Sequence, residues 1–387
     1  MGKQILMSDP LNKHPHILFL FSDTGGGHRS AAEAIIEALQ LEFADRINTE
    51  MVDILEDYAP RPLNQIPRWY PYMARVPQLY GWGFYMSDTH RRSRLILNAF
   101  WPYVRQAARR FVSQHPSDLI VSLHPVANPA VLRALGENRP PFIIVVTELV
   151  TAHAAWFHRR ADLCIVPTEA AYQRALKWDL RPEQVRVVGL PVADRFCQPP
   201  GDRNALRRRL GWPQDRPVIL LVGGSEGMGP LEQTALTIAE AGFQAALVVV
   251  AGRNQGLKER LEAQSWPIPT FIYGFVHEMP DFMGAADILV TKAGAFTISE
   301  ALNAGLPMVI YSRVPGQEDG NITHVVSGGT GVWAPYPDQI VQALQNWISH
   351  PDQLAQVSAA CLRQARPQAA RQIARILAQY VGIEVVQ

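Results

Sequence analysis

The chain has 387 residues, 48% of them hydrophobic and 18% charged, with a formal net charge of +1. That balance is ordinary for a soluble globular protein of about two domains, and it excludes a general electrostatic affinity for nucleic acid. Three well-separated cysteines, Cys164, Cys197 and Cys361, with no CxxC spacing, argue against a disulfide framework or a zinc site and fit a reducing cytosol.

Residues 1–13 are polar and lack the apolar centre of a signal peptide. The apolar runs at 142–146 and 245–251 are too short to span a bilayer. The first predicted strand is His16–Phe21, followed by the loop Ser22-Asp-Thr-Gly-Gly-Gly-His28 and a helix over Arg29–Leu41, where apolar residues recur at helical spacing. Glycines let backbone approach a ligand closely, and the free N–H groups of the helix N-terminus favour an anion. His28 stands at that terminus, where the dipole disfavours its protonated form, as suits a general base. The loop is neither a P-loop nor a dinucleotide fingerprint, and a tight turn with a capping histidine explains it as well.

Residues 58–110 differ from the rest. They carry nine arginines, among them Arg91, Arg92 and Arg94, against the single acid Asp88. Trp69, Tyr70, Tyr80, Trp82 and Trp101 are among their aromatic residues. Prolines and glycines predict an irregular first half, and Arg91–Val112 reads as a helix disturbed at Pro102. Arginines interleaved with aromatics suit an anionic membrane surface, single-stranded nucleic acid, or a helix that buries its aromatics. Further strands are expected at 118–123, 142–146, 163–166 and 185–188, each of the first three ending in polar residues. His124, Glu148, His153 and Trp156 lie after those strands, where sites of parallel sheets form. Residues 194–202 read as a linker, placing a boundary near residue 200.

The same alternation then restarts. A strand at 218–222 leads into Gly223-Gly224-Ser225-Glu226-Gly227-Met-Gly229 and a helix, again suited to phosphate. A strand at 245–251 leads to Gly252-Arg253-Asn254, with Arg253 placed for a phosphate or a base. A strand at 270–273 precedes Gly274-Phe275-Val276, whose backbone can read a base edge. The strand 287–290 runs through the turn Lys292-Ala293-Gly294 into a helix over 296–304, and a strand follows at 307–311. Glu300, one turn inside that helix, suits a ribose diol. Gln317 and Glu318, with Asn321 after them, put sugar-binding groups on the next loop. From Tyr336 onward the pattern is helical.

Two doubly wound α/β halves with facing glycine loops make an interdomain cleft for a nucleotide-sugar. No Asp-x-Asp element is present, so phosphate charge falls to Lys292, Arg253 and helix N-termini rather than to a bridging metal. At this point SDTGGGHR (22–29), GGSEGMGP (223–230), GRN (252–254), GFV (274–276), KAGAFTISEAL (292–302) and PGQEDGN (315–321) together resemble the monogalactosyldiacylglycerol synthases. Several motifs in one order over most of residues 17–336 carry the resemblance.

The resemblance implies a GT-B fold of two Rossmann-like domains. Residues 1–197 would bind acceptor and membrane; residues 198–387 would bind the UDP-sugar, with C-terminal helices able to return to the first domain. It implies inverting transfer from UDP-galactose to 1,2-diacylglycerol, without metal or other cofactor, on the cytoplasmic face of a membrane, with anionic lipid as a candidate activator. His28 then resembles the acceptor-side base of the Gly26-Gly27 loop and Gly224–Gly227 the phosphate loop. Phe275 and Val276 resemble the uracil contacts, Glu300 the ribose ligand, and Gln317 with Glu318 the sugar pair. Glu148 replaces the family's aspartate, and Ala295-Phe296 replaces its Pro-Gly. A UDP-glucose donor, a polyprenyl acceptor, a UDP-sugar 2-epimerase and a nonenzymatic sensor are the alternatives, and oligomeric state is left open. The basic aromatic segment weighs against the epimerase, and intact His28, Glu300, Gln317 and Glu318 weigh against the sensor.

Overall fold

The computed structural model describes residues 14–384 apart from 25, 74–76, 200 and 228. Two six-stranded parallel sheets form its frame. The first holds β1 (His16–Phe21), β2 (Asn48–Asp53), β3 (Leu119–Ser122), β4 (Phe142–Val145), β5 (Leu163–Val166) and β6 (Val185–Val187), in the order β2-β1-β3-β4-β5-β6. The second holds β7 (Val218–Val222), β8 (Ala246–Val250), β9 (Thr270–Tyr273), β10 (Ile288–Lys292), β11 (Met308–Ser312) and β12 (Gly331–Trp333), in the order β12-β11-β10-β7-β8-β9. The strand order reverses between β1 and β3 and again between β7 and β10. Those switch points open crevices at the carboxyl ends of the strands.

Helices cover both faces. The first half contributes α1 (Gly27–Phe43), α2 (Ile66–Met73), α3 (Pro77–Ser87), α4 (His90–Gln114), α5 (Ala127–Leu135) and α6 (Glu169–Lys177). The second contributes α7 (Arg203–Leu210), α8 (Leu231–Glu240), α9 (Gln255–Glu262), α10 (Met279–Ala285), α11 (Ala295–Asn303), α12 (Asp319–Ser327), α13 (Pro337–Ser349), α14 (Pro351–Gln364) and α15 (Ala369–Tyr380). The inner strands are buried along all but single end residues (His16, Lys292 and Ser312), as strands covered on both faces must be.

Helix α15 leaves the second half and packs on the first sheet. Ala370, Ile373, Ala374 and Leu377 join Ala31, Ile35, Ala38 and Leu39 of α1 in one core. Each Leu or Ile buried there contributes roughly 1.5–3 kcal/mol. At the edge, Arg375 Nε donates to Glu42 at 2.7 Å, and Arg371 Nη2 donates to Asp194 at 2.8 Å.

Two expectations change. The first half of the aromatic segment is helical rather than irregular, and Gly81 there serves packing instead of a turn. A Cβ on Gly81 inside α3 would lie 2.7 Å from the Cβ of Pro315. Helix α4 also runs unbroken through Pro102. The edge strands β2 and β12 were not anticipated; β2 (NTEMVD) is half-solvated and carries no continuous apolar run.

Candidate active site

The first wall grows from the end of β1. Asp53, buried at the end of β2, accepts from the Asp23 N–H at 2.9 Å, and its other oxygen accepts from the N–H groups of Leu55 and Glu56. Arg29 Nε donates to Asp23 at 3.0 Å. This anchored loop delivers Gly26, at φ 79°, as the N-cap of α1, with Gly27 and His28 in its first turn. His28 is half-buried, its Nδ1 2.8 Å from the Thr147 hydroxyl and its ring edge-on to His124 at 4.8 Å. Burial lowers its pKa to about 4, so it stands neutral near pH 7; the charges of Asp23 and Asp53 pull the other way. His124 is buried too, and burial with the neighbouring His28 keeps its pKa well below the usual histidine range. Its Nε2 reaches the Thr24 hydroxyl at 3.4 Å, while its Nδ1 has no partner among the described residues. Trp156 lies wholly inside the core beneath His28, its ring centroid 5.9 Å away, so it is a wall of the site and not a surface aromatic.

Next to these, Glu148 is buried, and burial raises its pKa to about 7. One carboxylate oxygen accepts from the His153 N–H at 2.8 Å; the other faces the Gln317 amide of the second half at 3.5 Å. His153 Nδ1 accepts from the Ala155 N–H, which leaves Nε2–H to donate to Ser87 Oγ at 3.1 Å. The end of α3 is thereby tied to the acceptor wall.

The second wall faces this one closely. A Cβ on Gly27 would lie 2.9 Å from the ring of Phe296 in α11, and one on Gly26 would lie 3.6 Å from Ser225 Oγ. The two glycine loops therefore touch across the cleft. Gly227 sits at φ 58°, where a Cβ would lie 2.1 Å from the Ala251 carbonyl oxygen, so the position admits glycine alone. Arg253 pairs with Glu226 at 2.8 Å and stacks over Phe275 at 4.6 Å, making a flat, exposed platform beside Val276. Lys292 reaches Glu318 at 2.5 Å and lies along Gly224 and Gly294. Glu318 also accepts from the Val314 N–H, and Asn321 pins the turn by donating to the Ala293 carbonyl at 2.9 Å. The Glu300 carboxylate takes no hydrogen bond from any described residue, and burial raises its pKa to about 7. Gly294 caps α11 with its first N–H groups aimed toward this wall. Among the described residues, no cluster of three or more histidines, cysteines or acids is placed to hold a metal ion.

The aromatic segment presents Trp69, Trp82, Tyr85, Leu95, Phe100 and Tyr103 to solvent, with Arg91 and Arg92 exposed beside them. Trp101 is half-buried under Arg133 at 4.5 Å. Tyr70, Tyr80 and Arg94 lie outside the residues whose side chains are described. No described helix is long and apolar enough to cross a membrane. Asp53, Thr147 and Phe84 join the site only through the fold. An acid at a strand end and a Thr-Glu pair after a strand were the available signals for the first two.

Comparison with known proteins follows the same division. The family described as monogalactosyldiacylglycerol (MGDG) synthase matches residues 28–192, and the glycosyltransferase family 28 C-terminal domain matches residues 218–373. The monogalactosyldiacylglycerol synthase of Spinacia oleracea is 36% identical over 380 residues, covering 94% of this chain and 72% of its own. The chain belongs to the monogalactosyldiacylglycerol synthase family. Synthase 1 of Arabidopsis thaliana is likewise 36% identical, over 91% of this chain and 68% of its own; both relatives are named chloroplastic. In fold, this family member is similar to S. aureus MnaA solved with UDP, at TM-score 0.63 and 15% identity over 96% of this chain and 98% of that one. It is similar also to Acinetobacter baumannii MurG, at TM-score 0.60 and 19% identity over 94% and 99%. The architecture is GT-B.

Proposed function

We infer that this chain transfers galactose from UDP-galactose to the free hydroxyl of 1,2-diacylglycerol, with inversion, while docked on a membrane surface. The observation that carries the reading is the facing pair of walls: a neutral His28 at a helix N-terminus opposite the Lys292–Glu318 pair. Family membership supplies the chemistry these groups would serve.

The acceptor hydroxyl approaches His28 past Gly26 and Gly27, with His124, Glu148 and His153 lining its path. Its oxygen attacks the anomeric carbon as the proton passes to His28; the bond from that carbon to the diphosphate breaks, and UDP leaves. Asp23 and Asp53 stabilise the imidazolium that forms, since their charges favour the protonated ring. Negative charge growing on UDP is met by Lys292, by the N–H groups of Gly224, Ser225 and Glu226 in the turn that Gly227 closes onto the Gly224 carbonyl, and by the start of α11. Glu300 receives the ribose diol; Arg253, Phe275 and Val276 receive the uracil. Gln317, Glu318 and the Asn321-braced turn around Ala293 hold the sugar. On this division the acceptor belongs to residues 1–197 and the donor to residues 198–387. No step draws on a metal or on a further cofactor.

Membrane docking is assigned to α2–α4. Exposed tryptophan and tyrosine with arginine at their side match the interfacial zone of an anionic bilayer. The experiment is transfer from UDP-galactose and from UDP-glucose to diacylglycerol in vesicles containing anionic lipid, with products identified by mass spectrometry. One galactose per diacylglycerol supports the reading. Preference for UDP-glucose moves the donor assignment, and no lipid product from a protein that binds UDP overturns the acceptor assignment.

A further inference from the structure

The first domain encloses an apolar pocket of about 260 Å³ that none of the contacts assigned above uses. Its walls are Ile54 and Leu55 from the turn after β2, Val104 and Ala107 from α4, and Ala130 and Val131 from α5. Tyr58, Asn98, Trp101 and Arg133 are the polar exceptions in a lining that is otherwise apolar and poorly suited to a sugar or a nucleotide, whose hydroxyls and phosphates would lose most of their hydrogen bonds there. Arg133 is the one charged side chain among the described lining residues, and it is occupied over Trp101.

The pocket's place in the fold ties it to the reaction. Ile54 directly follows Asp53, whose carboxylate holds the loop that carries His28. Ala127, also in the lining, lies three residues after His124, whose ring touches His28. The pocket therefore has walls that follow the carboxyl ends of β2 and β3, whose connecting segments also carry the groups that hold and touch His28. Ile96, Phe100 and Val126 line it and are exposed as well, so its mouth merges with the apolar surface of α4.

We propose that this pocket takes one acyl chain of the lipid acceptor and so seats the glycerol hydroxyl beside His28. The proposal rests on the acceptor being a diacylglycerol. A hydroxyl lifted from the bilayer to the sheet edge drags part of its chain with it. Each methylene left in water would cost about fourfold in affinity. The pocket removes that loss.

The test uses the full chain, UDP-galactose and short diacylglycerols dissolved as monomers, from dibutanoyl to dioctanoyl. Wild-type kcat/KM rises at least about tenfold along the series as methylenes enter the pocket. Ala107→Trp, which fills it, flattens the rise to under about threefold. A variant with the wild-type slope overturns the proposal. Should that variant fail to fold, wild-type protein is irradiated with a diacylglycerol bearing a diazirine near one chain end. Adducts on Val104, Ala107 or Val131 support the pocket; adducts confined to Trp69, Trp82 and their exposed neighbours overturn it. If wild type makes no glycolipid from any diacylglycerol, the galactosyl-acceptor reading fails, and the photolabel alone decides whether the pocket holds an acyl chain.

Discussion

The ring of Phe84 lies against the backbone of Gly316, so close that a Cβ on the glycine would sit 2.6 Å from Cδ1 of the ring. Phe84 belongs to α3, in the segment assigned to the membrane, and Gly316 to the loop that carries Gln317 and Glu318. Pro315 packs on Gly81 in the same way, and the Tyr85 hydroxyl donates to Asp319. Helix α3 thus braces the loop that carries Gln317 and Glu318. Gly316→Ala adds a side chain at φ 86° and displaces the ring. KM for UDP-galactose should rise by about tenfold, corresponding to roughly 1.4 kcal/mol. Affinity for UDP, which lacks the sugar, should change by less than about twofold. Initial rates and calorimetry separate the two; equal losses would mean that the loop does not act through the sugar.

His28→Ala should lower kcat by about 10²–10⁴-fold. UDP affinity should be retained, because the donor wall belongs to the other sheet. Glu148→Gln is the companion variant. A large loss there together with normal turnover in His28→Ala would transfer the role of base to the carboxylate.

Glu148 also makes a statement about stability. Its folded pKa of about 7 lies above the ordinary glutamate value of 4.5, so the folded chain holds this proton between those values while the unfolded chain releases it. Stability from this group is therefore complete at low pH and declines as pH rises toward 7, levelling off above. Glu148→Gln removes the titration. Its melting temperature relative to wild type should be higher at pH 8 than at pH 5, as measured by calorimetry at both. His28 acts in the opposite sense: its folded pKa is depressed, so it costs stability as pH falls from about 6.5 to about 4.

Arg91 and Arg92 are exposed beside the solvent-facing aromatics of α3 and α4. Each arginine near an anionic leaflet contributes about 1 kcal/mol. The double change to alanine should weaken partition onto phosphatidylserine vesicles by about thirtyfold and onto neutral vesicles far less. Flotation assays at two salt concentrations would read this directly. Equal binding of variant and wild type to anionic vesicles would remove these arginines from the docking surface.

Much of the frame was legible from local signals. Short apolar runs followed by glycine loops and helical periodicity mark β1–α1, β7–α8 and β10–α11, and two doubly wound halves follow from that alternation; the GT-B name came from the family resemblance. What sequence could not show was set by distant neighbours. Gly81 reads as a turn because nothing local reveals Pro315 above it. Trp156 reads as a surface contact because the loop around it has no burial period. Asp53 was passed over because its strand lies at a half-wet edge. The residues of the two walls could be named one by one; their pairing, His28 with Thr147, Glu148 with Gln317 and Lys292 with Glu318, is tertiary.

The return of α15 to the first sheet means that the chain passes between the halves twice. The two passages lie side by side: Gly189 is in close contact with Arg366 and Ala369, and Asp194 is bonded to Arg371. Adjacent tethers suppress twisting and leave one bending axis, along the line where they cross. A second half borrowed from another member of the family would have to be joined at both passages, because a graft made at one alone would leave α1 without its cover.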